Sequence, residues 1–326
     1  MSDRVVTGEL NKSEREQEAQ LRPQNFSEFI GQKKVVENID LMVKSATLRK
    51  AAMDHVLLSG PPGLGKTSLA MLIAKGLGSE LHVVSGPAIE KKGDLAAVLT
   101  NLKPRDVLFI DEIHRMHITV EEILYSAMED FRLDILIGQG ASARTMQIDL
   151  ASFTLIGATT RSGLLSNPLR DRFTSHLNFD YYEPEMLAII IENNAKKMGI
   201  VLDKDAKMQI AKRSRGTPRI ANRILRRVRD FALVNNSKTV QMKEVEAALS
   251  LLDIDHLGLD SMDRKILTVM KNYYQGGPVG IDALSATLGE DKQTIEEVYE
   301  PYLLKQGLIL RTPRGRVLSE EASKHV

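Results

Sequence analysis

Gly60-Pro61-Pro62-Gly63-Leu64-Gly65-Lys66-Thr67 sets three glycines, a lysine and a hydroxyl in the order that a phosphate-binding loop requires. An apolar run precedes the segment and a helical pattern follows it, so backbone N–H groups, those of Gly63 and Gly65 among them, can close around phosphate oxygens at a helix N-terminus. Lys66 would neutralise the terminal phosphates, the Thr67 hydroxyl would ligate magnesium, and Ser68 adds a further donor. Downstream, Val107-Leu108-Phe109-Ile110 runs into Asp111-Glu112, two carboxylates at the carboxyl end of a buried strand. With the upstream loop, this pair reads as Asp111 holding hydrated magnesium and Glu112 polarising the attacking water for in-line phosphoryl transfer. His114 and His117 follow closely, and their types and spacing assign them to packing or surface rather than to a ligand role.

The elements that must position these residues alternate. Strand candidates at His55 to Ser59, Leu81 to Ser85, Val107 to Ile110 and Phe153 to Gly157 are separated by helical patterns, which predicts an α/β core with a parallel sheet between helices. Between Phe131 and Leu150, Leu133, Ile135 and Ile137 face Met146, Ile148 and Leu150 across Gly138-Gln139-Gly140, an apparent hairpin whose extra apolar residues, such as Leu136, suggest a sticky surface. After Tyr181-Tyr182-Glu183-Pro184 the strands stop, and helices bounded by Gly199, Asp203 and Gly216 form a small helical domain. Helical segments at Ser261 to Tyr274, Ile281 to Leu288 and Lys292 to Lys305, then two short strands around Pro313-Arg314-Gly315, suggest a winged helix. The expected division is an ATPase domain over 1–182, a helical lid over 183–253 and a winged-helix head over 256–326.

The composition is that of an ordinary globular chain: 326 residues, 43% apolar and 27% charged, enough for two or three compact units. No apolar run approaches the roughly 18 residues that span a bilayer, and the polar segment from Ser2 to Gln20 does not read as a signal peptide, so a cytoplasmic protein with no membrane contact is expected. The absence of cysteine excludes disulfides, thiol nucleophiles and Cys-based zinc sites. Lys and Arg number 44 against 43 Asp and Glu, so the overall charge decides nothing about nucleic acid and its local distribution must.

The loop and the acid pair resemble those of AAA+ ATPases, which form rings and hydrolyse ATP between subunits. Further segments resemble the RuvB family within that class: Leu21-Arg22-Pro23, Phe29-Ile30-Gly31-Gln32, Asp111-Glu112-Ile113-His114-Arg115, Met128-Glu129-Asp130-Phe131, Gly157-Ala158-Thr159-Thr160-Arg161, Pro168-Leu169-Arg170-Asp171-Arg172-Phe173, Gly216-Thr217-Pro218-Arg219 and Arg311-Thr312-Pro313-Arg314-Gly315-Arg316. They cover nearly the whole chain. The resemblance implies a Mg2+- and ATP-dependent motor that drives branch migration of four-way DNA junctions in recombination and repair. It implies a homo-hexamer that engages RuvA through the 132–150 hairpin and works with RuvC in a larger complex. Ala141 and Ala151-Ser152 stand where the family more often has prolines, which bears on partner affinity.

The resemblance also implies roles. Leu21, Arg22 and Tyr182 flank the adenine, and Thr159 or Thr160 feels the γ-phosphate. Arg219 reports phosphate occupancy through the lid, and Arg170 is the arginine finger that reaches a neighbour's nucleotide. Glu129, Asp130, Phe131 and Arg172 lie near that shared pocket. Arg311 and Arg316 contact DNA, and Arg314, at the tip of a segment from Leu303 to Leu318 that lacks acidic residues, is added on its position alone. Arg223, Arg226 and Arg227 share a helix face with Arg219 and are read as solvated or ion-paired. A protein-unfolding ring is the main rival. Such rings grip polypeptide with an aromatic pore loop, whereas Gly86-Pro87-Ala88-Ile89-Glu90-Lys91-Lys92-Gly93-Asp94 contains no aromatic residue.

Overall fold

Aliphatic and β-branched runs of four to six residues, too short to close stable helices alone, build a sheet whose central members are buried throughout, save for the half-buried Asp111 that ends one of them. The computed structural model describes residues 20–137, 144–237 and 239–326. Its strands are β1 (Val56–Ser59), β2 (Leu81–Ser85), β3 (Val107–Asp111), β4 (Arg132–Ile137), β5 (Arg144–Asp149), β6 (Thr154–Thr159), β7 (Ser175–Asn178), β8 (Val201–Leu202), β9 (Thr239–Val240), β10 (Ile309–Thr312) and β11 (Gly315–Leu318). Five of them form one parallel sheet in the order β2-β3-β6-β1-β7. The four strands expected from sequence are present, each within a residue or two of its expected ends. β7 was not expected, because Ser175-His176-Leu177-Asn178 carries a single aliphatic residue.

The chain falls into two compact units: Arg22–Gly60 with Leu64–Asp180, and Pro61–Gly63 with Tyr181–Val326 and Leu21. In the first, helices Lys92–Thr100 and Ile118–Glu129 and the sheet enclose Leu108, Ile110, Leu124 and Phe153, all fully buried. The β4–β5 hairpin pairs Leu133 with Ile148 and Ile135 with Met146. Leu133 is buried and Ile148 and Leu150 pack on the core, while Met146 is exposed. The Gly138-Gln139-Gly140 bend and Ala141 lie outside the described residues.

In the second unit, helices Pro184–Lys197, Lys204–Lys212, Pro218–Val234 and Met242–Leu251 are followed by helices Ser261–Tyr274 and Ile281–Leu288 and the β10–β11 hairpin. Lys292–Thr294, Ile295–Tyr299 and Glu300–Lys305 run on without a break, the middle segment as a π-helical turn. Arg215 ties the two halves of this unit together. Its guanidinium, 6% exposed, is bidentate to Asp263 at 2.9 and 3.3 Å, lies 3.6 Å from Asp260, donates to the Val298 carbonyl at 3.4 Å and stacks 4.5 Å from the Tyr302 ring centroid. Burial pushes the Asp263 carboxyl up to about 7, against the pull of that guanidinium.

Candidate functional site

In the first unit three strand ends emerge side by side. β6 lies between β3 and β1, with Ile110 opposite Gly157 and Ser59 opposite Thr159. The loop after β1, the acids after β3 and the threonines ending β6 therefore share the carboxyl edge of the sheet, where open α/β folds bind ligands. Gly60 holds φ +138° and donates its N–H to the Thr159 carbonyl at 3.1 Å, and a Cβ there would lie 2.4 Å from the Phe179 carbonyl oxygen. Gly65, at φ +104°, opens the Lys66–Leu77 helix. Lys66, 7% exposed, folds back to donate to the Gly60 carbonyl at 2.6 Å, which sets a cation beside the N-terminal turn of that helix. Thr67 and Ser68 follow on its first turn, half-buried.

Asp111 ends β3, and its Oδ1 accepts the Glu112 N–H at 3.1 Å. Glu112 itself is left-handed, φ +49°, a conformation that turns its side chain away from the strand path. Its Oε2 accepts the Thr160 hydroxyl at 3.1 Å and lies 3.2 Å from His114 Nδ1. The same Nδ1 is 2.9 Å from Thr159 Oγ1, which in turn accepts the Arg161 N–H at 2.9 Å. His114, assigned to packing or surface on sequence, thus stands between Glu112 and Thr159, with a side chain only 2% exposed. The short turn Ile113–Arg115 after that left-handed residue folds the third residue past Asp111 back over the strand ends, which no local sequence feature announces. Both threonines contact the cluster, Thr159 wholly buried and Thr160 half-buried.

His55 supports this arrangement from below. Its Nδ1 accepts the Leu155 N–H at 2.9 Å and its Nε2 donates to the Met128 carbonyl at 3.1 Å, and its ring packs in a triangle with those of Phe131 and Phe153. Burial lowers its pKa, so the ring stays neutral and fixes β1, β6 and the end of the Ile118–Glu129 helix to one another. At that end lie Glu129, Asp130 and Phe131. Arg172 donates to Glu129 at 3.1 Å and to the Pro168 carbonyl at 2.7 Å, while Arg170, on the five-residue helix Asn167–Asp171, donates to Asn167 Oδ1 at 3.2 Å. Arg22, also in this unit, donates to Met71 Sδ at 2.9 Å.

Within the second unit, the Arg219 N–H points at the Gly63 carbonyl, 3.4 Å away, and a Cβ on Gly63 would lie 2.9 Å from Arg219 Cβ. Tyr182, 5% exposed, donates its N–H to the Gly216 carbonyl at 2.9 Å, and Leu21 is buried. The wing departs from the expected open basic surface. Arg316 is buried and donates to Glu300 at 2.9 and 3.0 Å and to Glu296 at 2.9 Å, and Arg311 donates to Glu300 at 2.8 and 2.9 Å. Those acids lie outside the Leu303 to Leu318 segment, on the preceding helical run, which is why the segment alone looked purely cationic. Arg314 stands exposed at the tip.

Three family models match the chain in succession: the P-loop domain of the Holliday junction DNA helicase RuvB over residues 21–179, the RuvB AAA lid domain over 182–255 and the RuvB C-terminal winged helix domain over 256–326. The Holliday junction branch migration complex subunit RuvB of Paramagnetospirillum magneticum is 52% identical over 326 residues, all of this chain and 93% of that protein. Its counterpart from Clostridium kluyveri is 54% identical over 325 residues, again with 93% of the relative covered. Among solved structures, the Thermotoga maritima RuvB Holliday junction branch migration motor superposes with a TM-score of 0.87 at 50% identity, over 94% of this chain and 98% of that one. With relatives this similar along its whole length, and with the phosphate loop, acid pair and threonines gathered on one sheet edge, the chain belongs to the RuvB family of AAA+ P-loop proteins.

Proposed function

We propose that this chain is the ATP-hydrolysing motor subunit of Holliday-junction branch migration, acting as a homo-hexameric ring on duplex arms with RuvA and, in a larger complex, RuvC. The observation that carries the reading is the joint placement of Lys66, Asp111, Glu112, Thr159 and Thr160 at three adjacent strand ends. The residues suit magnesium-bound ATP. Gly60, packed so closely on Phe179 that a side chain has no room, sets the start of the loop, and Thr67 and Asp111 offer the hard oxygen donors that Mg2+ prefers. When bound there, Mg2+ neutralises phosphate charge.

Lys66 then draws charge from the terminal phosphates, and Glu112 takes the proton of the attacking water. Thr160 and His114 hold the Glu112 carboxylate, and Thr159 holds the imidazole. Arg170 supplies the cation that stabilises the transition state in a neighbouring subunit, and Glu129, Asp130, Phe131 and Arg172 complete that subunit edge. Leu21, Arg22 and Tyr182 bind the nucleoside, and Arg219 senses its phosphates. The division into 1–182, 183–253 and 256–326 lets the lid carry the winged helix, where Arg314 and the exposed edge of Arg311 meet DNA phosphates while Arg316, buried against Glu300 and Glu296, holds the hairpin that presents them. No described helix is long and apolar enough to cross a membrane, in keeping with a cytoplasmic protein that works on the nucleoid.

The test is strand dissociation of a labelled synthetic four-way junction, with and without ATP and RuvA, using Glu112→Gln as the control. Resolution that needs all three supports the reading. ATP turnover with no junction movement, and no stimulation by DNA, would leave an ATPase whose substrate is something else.

A further inference from the structure

Glu121 carries a carboxylate that none of the phosphate-loop, strand-end or wing chemistry uses, yet it is only 5% exposed. A carboxylate is costly to bury and an apolar residue would pack there more cheaply, so its retention asks for a reason. Its Oε1 accepts the Ser166 hydroxyl, and the Tyr125 hydroxyl at 3.2 Å. The two hydroxyls are themselves 3.0 Å apart, which closes a triangle. Ser166 is the N-cap of the Asn167–Asp171 helix and accepts the Leu169 N–H at 3.2 Å through the same oxygen. Arg172, just past that helix, lays its guanidinium 4.6 Å from the Tyr125 ring centroid.

A helix of five residues is far below the length that holds itself in water, so its direction is set by what clamps its ends. Here both clamps run to Glu121 and Tyr125, one turn apart on the Ile118–Glu129 helix, and Arg170 lies between them. We infer that Glu121 is the positioning residue of the arginine finger: through Ser166 and Tyr125 it fixes the short helix that presents Arg170 to a neighbouring copy of this chain. The inference rests on the proposed role of Arg170. A finger acts only if its guanidinium meets the transition state, and a misplacement near 1 Å can cost about a hundredfold in rate.

The experiment mixes full-length subunits and reads ATP turnover in the presence of duplex DNA. Glu112→Gln subunits have a dead site and an intact finger, while Arg170→Ala subunits have the reverse, so mixing the two regenerates working interfaces. Glu112→Gln subunits that also carry Glu121→Leu should restore at least about tenfold less turnover. Those with Glu121→Gln, which still accepts both hydroxyls, should restore most of it. In the single Glu121→Leu variant kcat should fall with KM for ATP within about twofold, since its own phosphate loop is untouched. Equal restoration with Glu121→Leu overturns the inference. Ser166→Ala, which removes the link to Glu121 together with the helix N-cap, stands in should Glu121→Leu fail to assemble, and full restoration with it overturns the inference equally. If Glu112→Gln and Arg170→Ala never complement each other, the finger itself fails and the inference falls with it, an outcome told apart by that two-variant control.

Discussion

Replacing Arg215 with methionine should destabilise the Tyr181–Val326 unit by an amount that grows with pH. The substitution keeps volume and removes a guanidinium shared by Asp263, Asp260, the Val298 carbonyl and the Tyr302 ring. Breaking a buried ion pair from one side costs about 3–5 kcal/mol, because the remaining charge is stranded. Asp263 has an escape, since burial already pushes its carboxyl up to about 7 and loss of Arg215 pushes it higher. A carboxyl raised from 3.8 on folding takes up a proton as the chain folds, so its contribution is complete below pH 4 and is lost as pH rises to about 7. Above that the parent curve is flat for this group, whereas the variant keeps losing up to about 1.4 kcal/mol per pH unit. The penalty should therefore be smaller at pH 6, where the Asp263 carboxyl is largely protonated and no charge is stranded, than at pH 8, where it approaches the roughly 3–5 kcal/mol of a buried ion pair broken from one side. Urea unfolding of the full chain at both pH values, with hydrogen exchange reporting this unit separately, measures it. A loss under about 1 kcal/mol at both, or a penalty that shrinks as pH rises, would refute the reasoning.

Two further outcomes follow from the geometry of the strand ends and the wing. His114→Ala removes the imidazole between Glu112 and Thr159, and steady-state kinetics should show kcat down by at least about tenfold with little change in KM, as expected for a group that orients the base rather than the substrate. Arg314→Ala should lower the slope of log affinity against log salt for duplex binding by about one, equally for unrelated sequences, since an exposed tip cation meets phosphate and reads no bases.

The sheet was legible because buried parallel strands are nearly continuous apolar runs, and Val107–Ile110 or Phe153–Gly157 can hardly be read otherwise. β7 was not, since Ser175–Asn178 is half-exposed and takes its place from its pairing with β1 rather than from its own composition. The phosphate loop and the acid pair were legible for a different reason: each is contiguous, and its chemistry needs particular residue types at fixed spacing. His114 adjoined that motif and was still missed, because nothing local says that a left-handed Glu112 turns the next residues back over the strand ends.

The pairing inside the wing was not legible, because its charge partners are remote in sequence. Arg316 looked like an open phosphate grip because its segment holds no acid, yet Glu296 and Glu300 reach it from the helical run before the wing. Glu300 is 1% exposed and its carboxylate is held low by Arg311 and Arg316, though burial pulls the other way. That makes the pair a framework for the hairpin first: Glu300 spends both oxygens fixing two arginines on adjacent strands, directly opposite each other in the β10–β11 register. A phosphate approaching Arg311, whose side chain is 56% exposed, competes with a carboxylate already paired to it, while Arg314 at the tip meets phosphate without that competition. The wing's affinity for DNA should then rest more on Arg314 and on the exposed edge of Arg311 than on Arg316, whose loss should register mainly as instability of the hairpin.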